Sequence, residues 1–173
     1  MMNEKQNAYK LLVIESAEQI ARLAALANEI WTEHYAGIIG SEQTRYMLDN
    51  FQSSDAITTD IRDKGYRYTV AEFDGRWLGY SATVLHSEDV LFLSKLYVHK
   101  ASRGLGIGRV LFADAADQAR RAGCISIELT VNRHNKDSVA VYKHLGCKLL
   151  REQRVDIGQG FFMDDFVFRC PLN

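Results

Sequence analysis

Apolar and polar positions alternate with a period of two along several stretches of the chain, which is typical of β-strands. The clearest example is Val90–Val98, and the same alternation marks residues 66–73, 77–85 and 124–131. Asp74 and Gly75 lie between the stretches 66–73 and 77–85, and this dipeptide predicts a tight hairpin turn. Residues 66–131 therefore contain several short strands that are expected to form a sheet.

An amphipathic helix is predicted from residue 17 to about His34. Ser16 and Gln19 form a capping box at its start, and the apolar residues that follow recur at helical spacing. Gly37 and Gly40 should end this helix. Further short helices are expected before the hairpin.

A strand, a glycine-rich loop, a helix and a second strand follow one another in the middle of the chain. Val90–Val98 leads into the loop at residues 103–109, and the helix that starts near Gly106 should stop at Gly123. A helical crossover makes the strands on either side of it parallel. Residues 148–157 and 160–169 then predict a closing antiparallel hairpin.

The composition indicates an ordinary globular protein. The 173 residues suit a single domain, 1–173, with 47% hydrophobic and 25% charged residues. A net charge of −1 gives no reason to expect nucleic acid or an anionic membrane as a partner. No stretch approaches the roughly 20 apolar residues that span a bilayer, so we expect a cytoplasmic protein.

The cysteines predict neither a disulfide nor a metal site. Cys124, Cys147 and Cys170 are odd in number and lack the spacing of metal ligands. We therefore expect small buried thiols in a reducing compartment, and no bound metal.

The glycine-rich loop has the character of an anion site. A helix start carries amides without intrahelical acceptors and a partial positive charge. Gly104, Gly106 and Gly108 allow the backbone to approach a diphosphate, and Arg103 and Arg109 add charge. An ordinary glycine-rich turn is the alternative.

Two other phosphate motifs fit poorly. A dinucleotide fingerprint needs a glycine where Arg109 stands, with a carboxylate after the next strand, where Val131 and Asn132 stand. A P-loop needs Gly-Lys-Ser/Thr at the helix start, and Gly108-Arg109-Val110 does not provide it. NTPase chemistry is therefore not expected.

Two ordered motifs resemble the GNAT superfamily of acyl-CoA dependent N-acetyltransferases. Arg103-x-x-Gly106-x-Gly108 resembles its pyrophosphate motif, and Leu96-Tyr97-Val98 resembles the strand before it. Residues 131–135, followed by Ser138, Tyr142 and Leu145-Gly146-Cys147, resemble the second signature. The resemblance covers about residues 90–150.

The resemblance implies an α/β (α+β) fold with a mixed, mostly antiparallel sheet of about seven strands. A central parallel pair would splay around acetyl-CoA, with helices flanking the sheet. It also implies transfer of acetyl to a primary amine, with Tyr142 as the catalytic acid and the Val98 amide polarising the thioester. The implied coenzyme-binding residues are Leu96, Tyr97, Val98, Arg103, Gly104, Leu105, Gly106, Ile107, Gly108, Arg109, Asn135 and Ser138.

The base and the acceptor site are less well defined. Bacterial polyamine acetyltransferases, which the chain resembles most, often carry a glutamate where Ser94 stands. His34, Glu33, Asp164 and Asp165, or an ordered water, could replace it. Asp164 shares strand parity with three phenylalanines and should face an apolar layer. The candidate substrate-binding residues are Glu33, His34, Tyr35 and Asp164, and Glu29, Glu42 and Asp49 could also line an amine site.

Three functions remain open. A small-molecule amine, such as a polyamine or amino compound, is the leading acceptor and the expected partner. The second possibility is an acetyltransferase that acts on a protein lysine or amino terminus. The third is of another class, a non-catalytic module that binds or senses acyl-CoA. A homodimer also stays open.

Overall fold

A computed structural model describes residues 9–173 of the protein. The predicted domain of residues 1–173 is thus seen from Tyr9 onward. The elements in chain order are β1 Lys10–Val13, α1 Ala17–His34, α2 Ala36–Ile39, α3 Ser41–Phe51, α4 Ser54–Asp63, β2 Arg67–Phe73, β3 Arg76–Leu85, β4 Val90–Val98, a 3-10 turn Lys100–Ser102, α5 Ile107–Arg121, β5 Ser126–Asn132, α6 Lys136–His144, β6 Lys148–Gly158 and β7 Phe161–Pro171.

The strands of the described chain form one sheet in the order β1-β2-β3-β4-β5-β7-β6. The β4–β5 pair is parallel, and the β1–β2, β2–β3, β5–β7 and β6–β7 pairs are antiparallel. The predicted mixed, mostly antiparallel sheet with a central parallel pair is confirmed. The α5 crossover explains the parallel direction, because it returns the chain to the end at which β4 began.

The parallel pairing ends before either strand does. The register of β4 with β5 runs from Val90–Ser126 to Leu93–Leu129. Beyond that point β5 continues to Asn132, which pairs with Asp165 of β7 on its other side. Among the described residues, the pairing of β5 with β4 therefore stops three residues before the end of β5.

The chain divides into two compact units, which are described separately. The first contains the residues up to Val84 together with Lys95–Ala115, and the second contains Leu85–Ser94 and Ala116–Asn173. In the first, the buried stripe of α1, including Leu23, Ala27 and Ile30, packs in one core with residues of β2 and β3. The assignment of the chain to a single domain stays a prediction.

Helix α1 begins as the capping box predicts. The Gln19 amide donates to Ser16 Oγ at 3.1 Å, and Gln19 Oε1 accepts from the Ser16 amide at 3.0 Å. The predicted break is partly wrong, because Gly37 lies inside the short helix α2. Gly40, with a φ of 84°, is the residue that separates α2 from α3.

The prediction of three free thiols is wrong for two of them. Cys147 and Cys170 form a disulfide, with 4.1 Å between their Cα atoms, whereas Cys124 is free and buried. Continuing the register of the Arg151–Val167 pair would place Cys170 opposite Lys148. A bulge between Leu149 and Arg151 shifts the register by one residue, so that Lys148 pairs with Arg169 and Cys147 comes to face Cys170.

This disulfide closes a segment with a sequence separation of 23 residues. Chain-entropy arguments give such a crosslink about 3 kcal/mol of stability. We predict that a reductant lowers the free energy of unfolding in urea by about this amount, and that the Cys147→Ala/Cys170→Ala variant loses the response. Cys124→Ala is the control and should keep it. Unfolding that is insensitive to reductant in the wild type would contradict the crosslink.

Candidate functional site

The glycine-rich loop places three amides ahead of the first internal hydrogen bond of α5. That bond runs from the Val110 amide to the Gly106 carbonyl at 3.1 Å. The amides of Ile107, Gly108 and Arg109 precede it and have no acceptor within the helix. They are available to an anion at the positive end of the helix.

Two glycines give the loop its shape. Gly104 has a φ of 79° and Gly106 a φ of 82°, which lie in the left-handed region that favours glycine. Apart from the chain neighbours, no atom of residues 9–173 lies within 4 Å of the position that a Cβ would take on either residue. The backbone here is therefore open to a ligand.

Contacts on both sides fix the loop in place. Arg103 Nε donates to the Val98 carbonyl at 3.4 Å, and the Tyr9 hydroxyl donates to the Leu105 carbonyl at 3.2 Å. Ile107 is fully buried in a small core with Leu111. With the exposed guanidinium groups of Arg103 and Arg109, the loop fits a diphosphate by charge and by hydrogen-bond donors.

A close backbone approach fixes the end of β4. A Cβ on Gly79 of β3 would lie 2.7 Å from the Tyr97 carbonyl oxygen, so only glycine fits there. The His99 amide donates to the Leu78 carbonyl at 2.8 Å and extends the same contact. Sequence reasoning missed Gly79, although a glycine inside an otherwise regular strand is the signal for such an approach.

A buried lysine anchors β4 from the other direction. Lys95 Nζ donates to the Phe51 carbonyl at 2.7 Å and to the Tyr68 hydroxyl at 2.6 Å, and it lies 3.5 Å from Asp60 Oδ2. The Tyr68 hydroxyl in turn donates to Asp60 Oδ2 at 2.7 Å. Burial lowers the pKa of Lys95 to about 8, although Asp60 acts in the opposite direction. The cluster ties α3, α4 and β2 to the residue just before Leu96.

Tyr97 of β4 lies in an aromatic cluster. Its ring centroid is 5.2 Å from that of Trp31, 5.4 Å from that of Tyr80 and 6.0 Å from that of Tyr35. Trp31 and Tyr35 stack at 4.2 Å. Tyr35, predicted as an acceptor residue, is thus a buried part of this cluster.

The other residues predicted on α1 are more accessible. His34 is half-buried, with its ring 4.8 Å from that of Tyr35, and Glu33 is exposed. Nearby, α1, α2 and α3 line an open pocket of about 500 Å³ whose polar lining includes Glu42, Arg45 and Asp49.

The second signature lies at the end of β5 and on α6. Asn135 is buried at the amino-terminal cap position of α6, but its side chain does not cap the helix. Ser138 is half-buried one turn later. Tyr142 is buried, and its ring lies 6.5 Å from that of Phe168 on β7.

The prediction that Asp164 faces an apolar layer is wrong. Its side chain is 38% exposed, and Oδ1 lies 2.9 Å from Arg133 Nε. The parity is correct, but this end of the strand is not covered by a packed layer, because Arg133 lies over the Phe166 ring at 5.3 Å and Phe162 is exposed. The buried carboxylate of β7 is its neighbour Asp165, which is 2% exposed.

Residues 9–173 contain neither a cluster of metal-binding side chains nor a membrane-spanning helix. No group of three or more His, Cys, Asp or Glu side chains in this range is arranged to hold a metal ion. No helix in the same range combines the length and the hydropathy needed to cross a membrane.

Comparison with known protein families identifies the family whose sequence pattern includes this loop. The profile of the "Acetyltransferase (GNAT) family" matches residues 20–147, well over half of the chain. The chain belongs to this family. The superfamily predicted from the two motifs is confirmed, and the matched range contains the glycine-rich loop, Asn135 and Tyr142.

The relatives in sequence carry acetyltransferase names, and each of them matches only part of this chain. An uncharacterised N-acetyltransferase of Escherichia coli, YjgM, is 35% identical over 85 residues, which are 47% of this chain and 51% of the relative. Thialysine N-epsilon-acetyltransferase of Mus musculus is 37% identical over 62 residues, 36% of each chain. Mycothiol acetyltransferase of Thermomonospora curvata is 31% identical over 77 residues, 44% of this chain and 26% of the relative. The chain thus spans about half of these relatives or less.

Solved structures share the fold over nearly the whole chain. The PaiA N-acetyltransferase of Thermoplasma acidophilum, in complex with coenzyme A, superposes with a TM-score of 0.76 at 20% identity and covers 94% of this chain and 99% of its own. YncA of Salmonella typhimurium, a putative acetyltransferase with acetyl-CoA, gives a TM-score of 0.65 at 22% identity, with 96% and 95% covered. These likenesses establish the GNAT fold.

We predict that Lys95→Met lowers the free energy of unfolding by about 3–5 kcal/mol, because it leaves Asp60 with a buried, partly unpaired charge. Lys64→Met is a matched control, since Lys64 pairs with the same Asp60 at 3.1 Å but its side chain is 58% exposed. Its loss should cost about 0–1 kcal/mol. Urea unfolding at pH 7 measures both, and equal losses would contradict the role given to burial.

We predict that Gly106→Ala weakens acetyl-CoA binding about fivefold to thirtyfold, because alanine at this positive φ costs about 1–2 kcal/mol and the free loop relaxes away from the binding conformation. Gly160→Ala is the control. Gly160 has a φ of 79° and equally open space, but it lies in the β6–β7 turn. Isothermal titration calorimetry should show normal affinity for the control, and equal affinities of the two variants would count against the loop.

Proposed function

We propose that this GNAT protein transfers the acetyl group of acetyl-CoA to a primary amine of a small molecule. The observation that carries the proposal is the set of three open amides at the start of α5, flanked by Arg103 and Arg109. Such a set suits the diphosphate of coenzyme A. Family membership and the coenzyme complexes of proteins with the same fold support it.

The proposed coenzyme contacts follow the family motifs. The loop residues Arg103 to Arg109 would hold the diphosphate, and Asn135 and Ser138 would bind the pantetheine arm. The backbone N–H and C=O groups of Leu96, Tyr97 and Val98 would form hydrogen bonds with the amides of that arm. These three residues follow the part of β4 that pairs with β5.

The reaction requires two proton transfers. Acetyl-CoA supplies the acetyl group as an activated thioester. An alkyl ammonium with a pKa of about 10.4 must lose a proton before its nitrogen can attack. We propose that the Val98 amide polarises the carbonyl oxygen and that the Tyr142 hydroxyl gives a proton to the departing sulfur.

Two observations support a small amine as the acceptor. Thialysine N-epsilon-acetyltransferase and mycothiol acetyltransferase, which match part of this chain, carry the names of small molecules. The pocket beside α1 and α3 is lined by Glu42, Asp49 and Arg45, so its two carboxylates outnumber its one guanidinium and favour a cationic compound. The candidate acceptor residues Glu33, His34 and Tyr35 lie on or just after the same α1 helix.

The direct test is acetyl transfer by the purified protein over a panel of primary amines, with free thiol release as the readout. Turnover with at least one small amine is the expected result. Binding of acetyl-CoA without transfer to any amine or peptide would favour a binding module and contradict the enzyme.

We predict that Tyr142→Phe lowers kcat about 100-fold or more, because general acid catalysis contributes about this much. The affinity for acetyl-CoA, measured by calorimetry, should change little, because the ring and its packing against Phe168 remain. Tyr66→Phe, at a half-buried tyrosine outside both motifs, is the control and should keep its turnover. Unchanged turnover of the Tyr142 variant would remove this residue from the mechanism.

A further inference from the structure

The sheet of the described chain ends on one side in a long, exposed strand. β6 stands last in the strand order and pairs with β7 on one side only. Its residues are exposed from Lys148 to Glu152 and again from Arg154 to Asp156. Backbone N–H and C=O groups along such an edge can bond to a strand of another chain.

We propose that β6 joins two copies of this chain, which pair antiparallel about a twofold axis at Gln153. The proposal goes beyond acetyl transfer and does not depend on it, because β6 carries none of the residues assigned to that reaction or to the coenzyme. The other edge strand, β1, is less suited to this pairing, since it has only the four residues Lys10–Val13.

The edge of β6 lacks most of the features that keep a strand from pairing. Edges without a partner are usually short, bulged, rich in lysine or interrupted by proline. β6 is bulged only near its two ends, and between the bulges it pairs regularly with β7 from Arg151 to Asp156. It contains no proline, and Lys148 is its only lysine. The Cys147–Cys170 bond fastens its start to β7, so this edge is fixed in place before a partner arrives.

Apolar side chains on β6 also favour a partner over solvent. Leu149, Leu150 and Val155 are 49%, 43% and 43% exposed. An axis at Gln153 sets Leu149 opposite Ile157 of the second copy, which covers apolar surface of both residues.

The charges on β6 favour one register for pairing the strand with itself. Residues that stand opposite each other share a face of the sheet, so a twofold axis must pass through a residue position. Gln153 is the middle residue of β6, and an axis there puts Glu152 opposite Arg154 of the second copy, twice by symmetry. Opposite charges directly across a strand pair attract. All 11 residues find a partner in this register, and no like charges meet.

The neighbouring registers bring like charges together. An axis at Glu152 places this carboxylate opposite its own copy. An axis at Arg154 does the same for the guanidinium and sets Glu152 opposite Asp156, and an axis at Arg151 repeats the fault. Like charges directly across a strand pair are destabilising. Registers centred farther from the middle leave much of the strand unpaired. Charge complementarity therefore indicates a second copy as the partner.

Contacts within the chain leave both charged groups able to take part. The Glu152 side chain is 56% exposed, and it accepts from Arg133 through Oε2 at 3.0 Å. The guanidinium carbon of Arg154 lies 4.1 Å from the ring centroid of Phe162. A carboxylate has a second oxygen, and a guanidinium that contacts a ring through its face keeps its N–H donors at its rim.

The first test is sedimentation velocity of the full chain over a range of concentrations. Pairing through one edge strand makes a small interface, so we expect a dimer with a dissociation constant of about 1–100 μM. A protein that stays monomeric up to about 1 mM would overturn the proposal.

Charge reversal gives a matched pair of variants. Glu152→Arg and Arg154→Glu each place like charges across the axis, and each should raise the dissociation constant about tenfold or more. Mixed in equal amounts, the two variants should dimerise as the wild type does, because one edge is then basic and the other acidic. Lys148→Glu is the control, since it stands opposite Gly158 and should leave association unchanged. Dimers that resist both reversals, or variants that do not pair on mixing, would overturn the proposal.

A crosslink tests the register without changing charge, and it covers the case in which a reversed variant does not fold. At the axis, the Cα atoms of the two copies of residue 153 should be about 4.5–5.5 Å apart, within reach of a disulfide. In a Cys124→Ala background, mild oxidation of Gln153→Cys should therefore give a covalent dimer on a non-reducing gel.

Val155→Cys is the matched control for the crosslink. Its two copies would be displaced along the strands by about 13 Å, too far for a disulfide. No covalent dimer of Gln153→Cys, or equal crosslinking of the two variants, would overturn the proposed pairing. Either result would leave the acetyltransferase function untouched, because that function is measured by acetyl transfer.

Discussion

The start of α5 is the constraint on which the rest of the account depends. Three amides precede the first internal hydrogen bond of the helix, and their donors need an acceptor from outside it. Gly104 and Gly106 turn the chain through positive φ and carry no side chain that could cover these donors. Arg103 and Arg109 add positive charge, and together these features select an anion rather than a neutral ligand.

The neighbouring strand is held just as firmly. Gly79 lets the backbone of β3 approach Tyr97, and the Lys95 cluster fastens β4 to α3, α4 and β2. A buried lysine of this kind is weak evidence for stability, because desolvation opposes ion pairing. Its value here is in position, since Lys95 adjoins the residues proposed to contact the pantetheine arm.

The local signals in the sequence predicted the elements well, and long-range packing accounts for the differences. Alternation gave the bounds of β4, and Ser16 with Gln19 gave the start of α1. The Cys147–Cys170 bond depended on a bulge in β6, which no local pattern revealed. Parity could not tell whether Asp164 or Asp165 is buried, because Arg133 covers the phenylalanine face at that end of β7. Gly79 differs from these cases, because a glycine inside an alternating strand is itself a local sign of close backbone approach.

The most direct measurement is a titration of the uniformly ¹⁵N-labelled protein with acetyl-CoA, followed by two-dimensional NMR of the backbone amides. The account predicts saturable shifts that are largest for Gly104 to Arg109, where the donors at the start of α5 gain a phosphate acceptor. Resonances of this loop that stay in place at millimolar acetyl-CoA would contradict it.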